Sequence, residues 1–295
     1  MFKTDKWEFN LEHYQLKESQ VQIIRLGEGI FIESYTLNSL EVNIKNQEIV
    51  ELIRQKWEEA LEKNPKLKPG LKFRLSCNYE YPKIDETEKI LYLKMGITDY
   101  GLHVATGISS RKNHLFGKLL MEEGRRLYGD KYALFANPIG NCVVVEFSDD
   151  KIALIKRSDK VAEYAGFYDT PGGYAEPTKH GFTSEGHFKA VKDEVNEEIG
   201  VPVESIEESH LIGIMKSIEN FGKPDMLFRL RTGLPSNKIV TNEEVSGLEI
   251  LARDQLYENL VEGTYKLVPP SEALMVAYFS LLKGYEVKNF SFLIE

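Results

Sequence analysis

Two cysteines, Cys77 and Cys142, are all the thiols in 295 residues. They stand too far apart for a CxxC metal knuckle and are too few for a disulfide framework, so both are expected to be buried thiols. Long apolar runs are missing as well. No stretch approaches the roughly 20 residues of a membrane span, and the N-terminal MFKTDKWEFNLEHYQL has no apolar signal core. The expectation is an intracellular, soluble protein, cytoplasmic or nucleocytoplasmic, with no membrane partner. Positive charge is in deficit: 37 Lys and Arg against 46 Asp and Glu give a net charge of −9. Lys and Arg form no cluster, which argues against a nucleic-acid partner and requires any anionic substrate to meet local positive groups or bound cations. No internal repeat and no protein partner is evident.

What is present suits a globular chain, with 42% hydrophobic and 28% charged residues. The length allows two cores. A mixed α/β N-terminal domain is expected over residues 1–132 and a second domain over 133–295, with the seam near Gly129 to Asn137. In the first, strands are expected at Val21 to Leu26, Lys72 to Tyr79 and Lys89 to Met95. Helices are expected from about Asn46 to Lys63 and about Lys112 to Tyr128. In the second, strands are expected at Cys142 to Phe147, Ile152 to Lys156, Leu211 to Met215, Met226 to Arg231 and Leu248 to Leu251. A last helix is expected to follow Pro269-Pro270, with Ser271 as its N-cap. Strands around two helices imply an α/β/α sandwich.

The segment PGGYAEPTKHGFTSEGHFKAVKDEVNEEIGV, Pro171 to Val201, concentrates the chemistry. Thr183 or Ser184 can cap a helix, and Gly200 can end it. At 100° per residue, Phe188, Val191, Val195 and Ile199 share one arc of about 80°, while Glu194, Glu197 and Glu198 share a neighbouring arc of about 100°. Three exposed carboxylates at such spacing repel by only a few tenths of a kcal/mol per pair, so a solvated acidic face is the bland alternative. If the face is partly desolvated the repulsion grows, and a divalent cation with hard oxygen ligands compensates it. Gly172 and Gly173 permit close backbone approach to a phosphate or metal.

The spacing resembles the box of the Nudix hydrolases, G-x5-E-x7-R-E-U-x-E-E-x-G-U with U aliphatic. Here the chain reads G-x11-E-x7-D-E-V-N-E-E-I-G-V from Gly173, with a loop six residues longer and Asp193 in place of the arginine. Lys189, four residues before Asp193, is placed to pair with it. The run Lys156-Arg157-Ser158, Gly166, Asp169 and PGGYAEP, with KWEEALEKNPKLKPGLKFRL, LYLKMGITDY and ALFANPIG further upstream, is similar to the atypical Nudix branch that hydrolyses UDP-glucose and UDP-galactose. That branch also has a long box loop without the arginine.

The resemblance implies a Nudix α/β/α sandwich preceded by a mixed α/β N-terminal domain, and hydrolysis of UDP-hexoses to UMP and hexose 1-phosphate with Mg²⁺, or Mn²⁺ in its place. It implies Glu194 and Glu198 as metal ligands, with Glu197 a third ligand or a partner through water. Glu194 and Glu244 are the candidates for the proton acceptor. Tyr100, Arg157, Asp169, Gly173, Tyr174 and Glu176 are the implied substrate contacts: Arg157 for phosphate or a base carbonyl, the carboxylates for sugar hydroxyls, Tyr174 for stacking on uracil. Two alternatives stay open. One is another Nudix nucleoside-diphosphate hydrolase acting on ADP-ribose, dinucleotides or caps; the other is a non-catalytic nucleotide-sugar sensor, suggested by Asp193. His180 and His187 are too loosely spaced to suggest a separate metal site.

Overall fold

The structure, a computed structural model, describes residues 4–11, 14–26, 34–75, 83–158, 164–239 and 247–293. Glu244 and Cys77 fall outside the described residues. In the N-terminal half, β1 (Trp7–Leu11), β2 (Val21–Arg25) and β3 (Ser34–Tyr35) precede helix α1 (Gln47–Lys63), and β4 (Leu71–Leu75), β5 (Lys83–Asp85) and β6 (Ile90–Asp99) precede α2 (His114–Tyr128). Asn46 caps α1 by accepting from the Glu48 amide at 3.1 Å, and Asn113 caps α2 by accepting from Phe116 at 3.2 Å. The second helix therefore starts later than its apolar spacing predicts. Strand β6 is the spine of this half, pairing with β2 and β3 in parallel and with β4 and β5 antiparallel.

In the C-terminal half β7 (Gly140–Glu146), β8 (Lys151–Lys156), β9 (Tyr168–Asp169) and β10 (Gly172–Gly173) lead to helix α3 (Ser184–Ile199). Then come β11 (Ile206–Ser217), β12 (Lys223–Thr232), β13 (Leu248–Ala252), α4 (Arg253–Glu262) and α5 (Pro269–Ser280). The sheet order is β1-β11-β12-β7-β8-β13, with β10 against β7 and β9 against β8. Strands β7 and β12 are parallel, with Asp225 opposite Gly140. The observed β11 and β12 extend beyond the expected Leu211 to Met215 and Met226 to Arg231 at both ends.

Helix α3 packs Phe188, Val191, Val195 and Ile199 into one cluster with Val143, Val145, Met226 and Phe228 of the large sheet. The same cluster contains Phe73, Leu91, Leu93 and Met95 of the smaller sheet, so α3 is covered from both sides. Each such side chain contributes about 1.5–3 kcal/mol on burial. On the other face, Cys142, Val144, Ile152 and Leu227 pack with Leu256 of α4 and Leu274, Tyr278 and Phe279 of α5. The result is the expected α/β/α sandwich, with a second mixed sheet laid over α3.

Three features depart from the sequence reading. Pro269 and Pro270 are the first two residues of α5, where a missing N–H costs nothing, and Val268 is the N-cap. Ser271, expected to be that cap, instead bonds Asp169 and Thr170. Strand β1, unforeseen, adds antiparallel to β11 of the far half, and Leu16 bridges Leu211. A division of the chain at residue 132 therefore leaves β1 in the sheet of the C-terminal half. Among the described residues, no helix is long and apolar enough to cross a membrane.

Candidate active site

The turn before α3 and the C-terminal end of α3 meet because glycine lets them. Gly172 and Gly173 pair with Cys142 and Asn141 of β7. A Cβ on Gly173 would sit 2.4 Å from Glu194 Oε2, and one on Gly172 would sit 2.0 Å from the Asn141 carbonyl oxygen. The Gly172 amide donates to Glu198 Oε2 at 2.8 Å. Thr183 caps α3 by accepting from Gly186 at 3.0 Å, and Gly200, with φ of 70°, ends it in the left-handed region.

Burial, reinforced by Glu197, pushes the Glu194 carboxyl up to about 7, while Lys179 and Lys72 pull the other way. Burial also pushes Glu198 up to about 8, with Glu194 and Asp169 adding to it and the Gly172 amide and Arg157 opposing it. Two carboxylates that resist charging together mark a candidate site. Glu197 stands apart from them: it is exposed and lies 3.5 Å from Lys179. Asp193, in the arginine's place, pairs with Lys189 at 2.7 Å as its spacing predicts, and with Lys179 at 3.5 Å. Burial works against its charge, but the two lysines hold its carboxyl below the ordinary range.

A cleft of about 360 Å³ opens beside this turn, between the large sheet and the helical segment that follows β6. Its wall includes Tyr100, Arg157, Asp169, Gly173, Tyr174 and Glu198, six of the residues singled out in the sequence. Arg157 Nη1 donates to Asp169 Oδ2 at 2.8 Å. The ring of Tyr174 lies 6.3 Å from that of Tyr100, and burial raises its hydroxyl to about 12. Tyr100 opens a short helix, Tyr100–His103, capped by Asp99, which accepts from the Leu102 amide at 2.6 Å. A turn of π-helix, Val104–Ile108, follows it and brings Ile108 to the wall.

Glu176 is not on that wall. Lys72 of β4 holds it in an ion pair at 2.7 Å, chiefly through a hydrogen bond that keeps its carboxyl below the ordinary range. Conversely, the sequence reading passed over His103, Asn141, Lys223 and Asp225, which all line the cleft. Lys223 and Asp225 form a buried ion pair on consecutive same-face positions of β12. That strand was read as beginning only at Met226, so the pair was missed. His103 is neutral: burial first, then Lys223 and Arg111, drop it to about 3. His187, also held near 3 by burial, packs its ring 4.3 Å from that of Phe73, as a core residue.

Among the described residues, no three His, Cys, Asp or Glu side chains are grouped to hold a metal ion. Glu194 and Glu198 nevertheless fit a divalent cation that retains waters, since such an ion needs only one or two carboxylates from the protein and takes other oxygens from substrate phosphates.

No family model matches the chain. It is 30% identical over 207 residues to Nudix hydrolase 9 of Arabidopsis thaliana, covering 63% of this chain and 64% of that protein. It is 28% identical over 202 residues to the uridine diphosphate glucose pyrophosphatase NUDT22 of Homo sapiens, covering 64% and 65%. The chain thus spans a little under two thirds of the length of these curated relatives. Among solved structures, a Nudix hydrolase from Alicyclobacillus acidocaldarius aligns at 12% identity with a TM-score of 0.39, covering 48% of this chain and 89% of that one.

Proposed function

We propose that this chain, a relative of the Nudix hydrolases in sequence and an α/β/α sandwich of their kind in fold, hydrolyses the diphosphate of UDP-hexoses to give UMP and hexose 1-phosphate in the presence of Mg²⁺ or Mn²⁺. The observation that carries this reading is the pair of carboxylates, Glu194 and Glu198, raised by burial and set against the Gly172-Gly173 turn, with Glu198 on the wall of the cleft and Glu194 beside Gly173. The similarity to NUDT22 supports uridine diphosphate glucose as the first substrate to try.

Glu194 and Glu198 would hold the cation, with Glu197 as an outer partner through water. A bound divalent cation would supply charge neutralisation on the diphosphate and lower the pKa of a water. The protein's own share is positioning. Gly172 fixes one oxygen of Glu198 through its amide, and Gly173 leaves room for Glu194. Arg157, steered by Asp169, offers a planar fork to phosphate oxygens at the cleft wall. Tyr100 and Tyr174 offer aromatic faces from the two halves of the chain, suited to a uracil ring. In the hydrolysis a water oxygen bonds to one phosphorus, the bridging P–O bond breaks, and the water's protons pass to solvent through a carboxylate, for which Glu194 and Glu244 are the candidates.

Incubation with UDP-glucose, UDP-galactose and ADP-ribose, each with Mg²⁺ or Mn²⁺, followed by product identification, tests the reading. UMP and hexose 1-phosphate are expected, and Glu198→Gln should abolish them. Turnover of ADP-ribose alone would move the protein to another Nudix specificity. Tight binding of UDP-glucose without any product over hours would make it a sensor.

A further inference from the structure

Two carboxylates beyond the acidic helix border the cleft, and their bonding separates them. Asp169 is fully occupied: Oδ2 receives Arg157, and Oδ1 receives the Ser271 hydroxyl at 2.8 Å and the Thr170 amide at 2.9 Å. Asp225 uses one oxygen only. Its Oδ1 accepts from the Lys223 ammonium, while Oδ2, equally buried, meets no donor among the described residues. The Asp225 side chain is 4% exposed and that of Lys223 is 10% exposed.

An oxygen so buried and unpaired costs about 1–3 kcal/mol, more when charged, and such atoms in a cleft wall point to a missing partner. The pair also sits in space that β7 leaves open: a Cβ on Gly140 would lie 1.9 Å from Asp225 Oδ1 and 2.7 Å from Lys223 Nζ. With Lys223 the pair is neutral as a unit, so what Oδ2 lacks is a donor rather than a countercharge. That favours an uncharged hydroxyl over a cation. The Tyr174 ring, 5.3 Å from the Lys223 ammonium, supplies an apolar face beside it.

We propose that Asp225, held by Lys223, is the sugar-reading residue of the cleft, with Oδ2 accepting hydrogen bonds from the hydroxyls of a sugar joined to the diphosphate. This rests on the nucleotide-sugar reading above, and it moves the sugar contact from Asp169, whose oxygens are taken, and Glu176, which Lys72 holds off the cleft wall, to a residue passed over in the sequence. The register gives the spacing. Strands β10 and β12 flank β7, with Gly172 opposite Cys142 and Asp225 opposite Gly140. Their backbones are therefore roughly 12 Å apart, a span suited to a diphosphate with one sugar attached. The hydroxyls belong either to the hexose or to the ribose.

Calorimetric titration of the protein with Mg²⁺ and methylene-bridged, non-hydrolysable forms of UDP-glucose, UDP and 2′-deoxy-UDP separates these sources. Asp225→Asn should weaken the UDP-glucose analogue by about 10- to 100-fold. If the hexose is read, UDP and 2′-deoxy-UDP stay within about threefold; if the ribose is read, UDP falls together with UDP-glucose and 2′-deoxy-UDP does not. Equal affinities for all three before and after the substitution, or an equal loss for all three, would overturn the proposal and leave Asp225 a structural partner of Lys223. Should Asp225→Asn fail to fold, the neutral pair Lys223→Gln/Asp225→Asn takes its place. Single-deoxy analogues on the unaltered protein give a second route: at least one lost hydroxyl should cost tenfold or more, and no loss for any overturns the proposal. If the unaltered protein binds none of the uridine ligands, the reading under Proposed function fails and takes this inference with it, a result distinct from failure at Asp225 alone.

Discussion

The cleft buries negative charge at two places and treats it in opposite ways. At the α3 end, Glu194 and Glu198 have no ion-paired cation among the described residues, and their carboxyls rise to about 7 and about 8. At the β12 end, Asp225 is buried more deeply, and burial raises its carboxyl too, but the Lys223 ammonium in contact opposes that rise. Burial pulls the Lys223 ammonium down, but Asp225 more than offsets this and holds it above its ordinary range. The first arrangement suits a bound cation. The second stores only an unmet demand for a hydrogen-bond donor. A protein that merely packed acidic residues for stability would have no reason to keep the first.

Breaking the α3 end should have the largest effect on turnover and little on folding. Glu198→Gln is expected to reduce kcat on the order of 10³-fold, the scale of a lost transition-state charge contact, with a thermal transition in chelator no lower than the parent's. Steady-state kinetics beside a melting curve decide it. Breaking the β12 end should weigh on folding and on sugar binding rather than on the chemical step. Lys223→Met leaves Asp225 charged and unpaired and should cost about 3–5 kcal/mol in denaturant unfolding, most of it recovered in Lys223→Met/Asp225→Leu. If the single variant is as stable as the parent, the pair is not compensated as described.

The two neighbouring glycines sharpen the contrast at single-atom scale. Gly172→Ala drives a methyl into the Asn141 carbonyl, which is backbone, and should cost about 1–3 kcal/mol of stability. Gly173→Ala meets only the carboxylate end of Glu194, which can swing away. Its expected signature is a fall in kcat and in metal affinity with a nearly unchanged melting temperature.

The smallest effect is the pH response of the metal-free protein. Both carboxyls are raised above the value of 4.5 that they have when unfolded, so the folded state binds extra protons between these values. Their contribution to stability is complete below about pH 4.5 and is lost as pH rises through 7 and 8. Allowing for their partial exposure, this amounts to about 1–2 kcal/mol. Melting curves in chelator from pH 6 to 9 should fall more steeply for the parent than for Glu194→Gln/Glu198→Gln, and Mg²⁺ should abolish the difference.

Legibility in the sequence followed the range of the interactions. Helix α3, its Thr183 cap, its Gly200 stop and the Lys189–Asp193 pair all depend on residues within one or two turns, and all were readable from spacing. The acidic face was readable too, because 3.6-residue periodicity alone sorts Glu194 and Glu198 from Val191 and Val195. Side-chain direction in the turn was not. Glu176 is three residues from Gly173, but Lys72, 104 positions away, takes its carboxylate out of the cleft. Lys223 and Asp225 were hidden because Pro224 between them suggests a strand boundary, whereas β12 begins at Lys223. Strand β1 was hidden for a similar reason: its partner β11 lies some two hundred residues further on.

That first strand carries a mechanical consequence. Trp7 is wholly buried in the core of the C-terminal sheet, its indole N–H donating to Glu272 of α5 at 3.1 Å, while Ile139 at the other junction bonds back to Phe73 of the small sheet. A wall that swings needs one line of attachment. Here the wall carrying Tyr100 is tethered to the large sheet along two separate lines, one through β1 and one through the segment leading into β7. Such double stitching works against a wide gape, and it favours a cleft whose width is set at folding over one set by each arriving substrate.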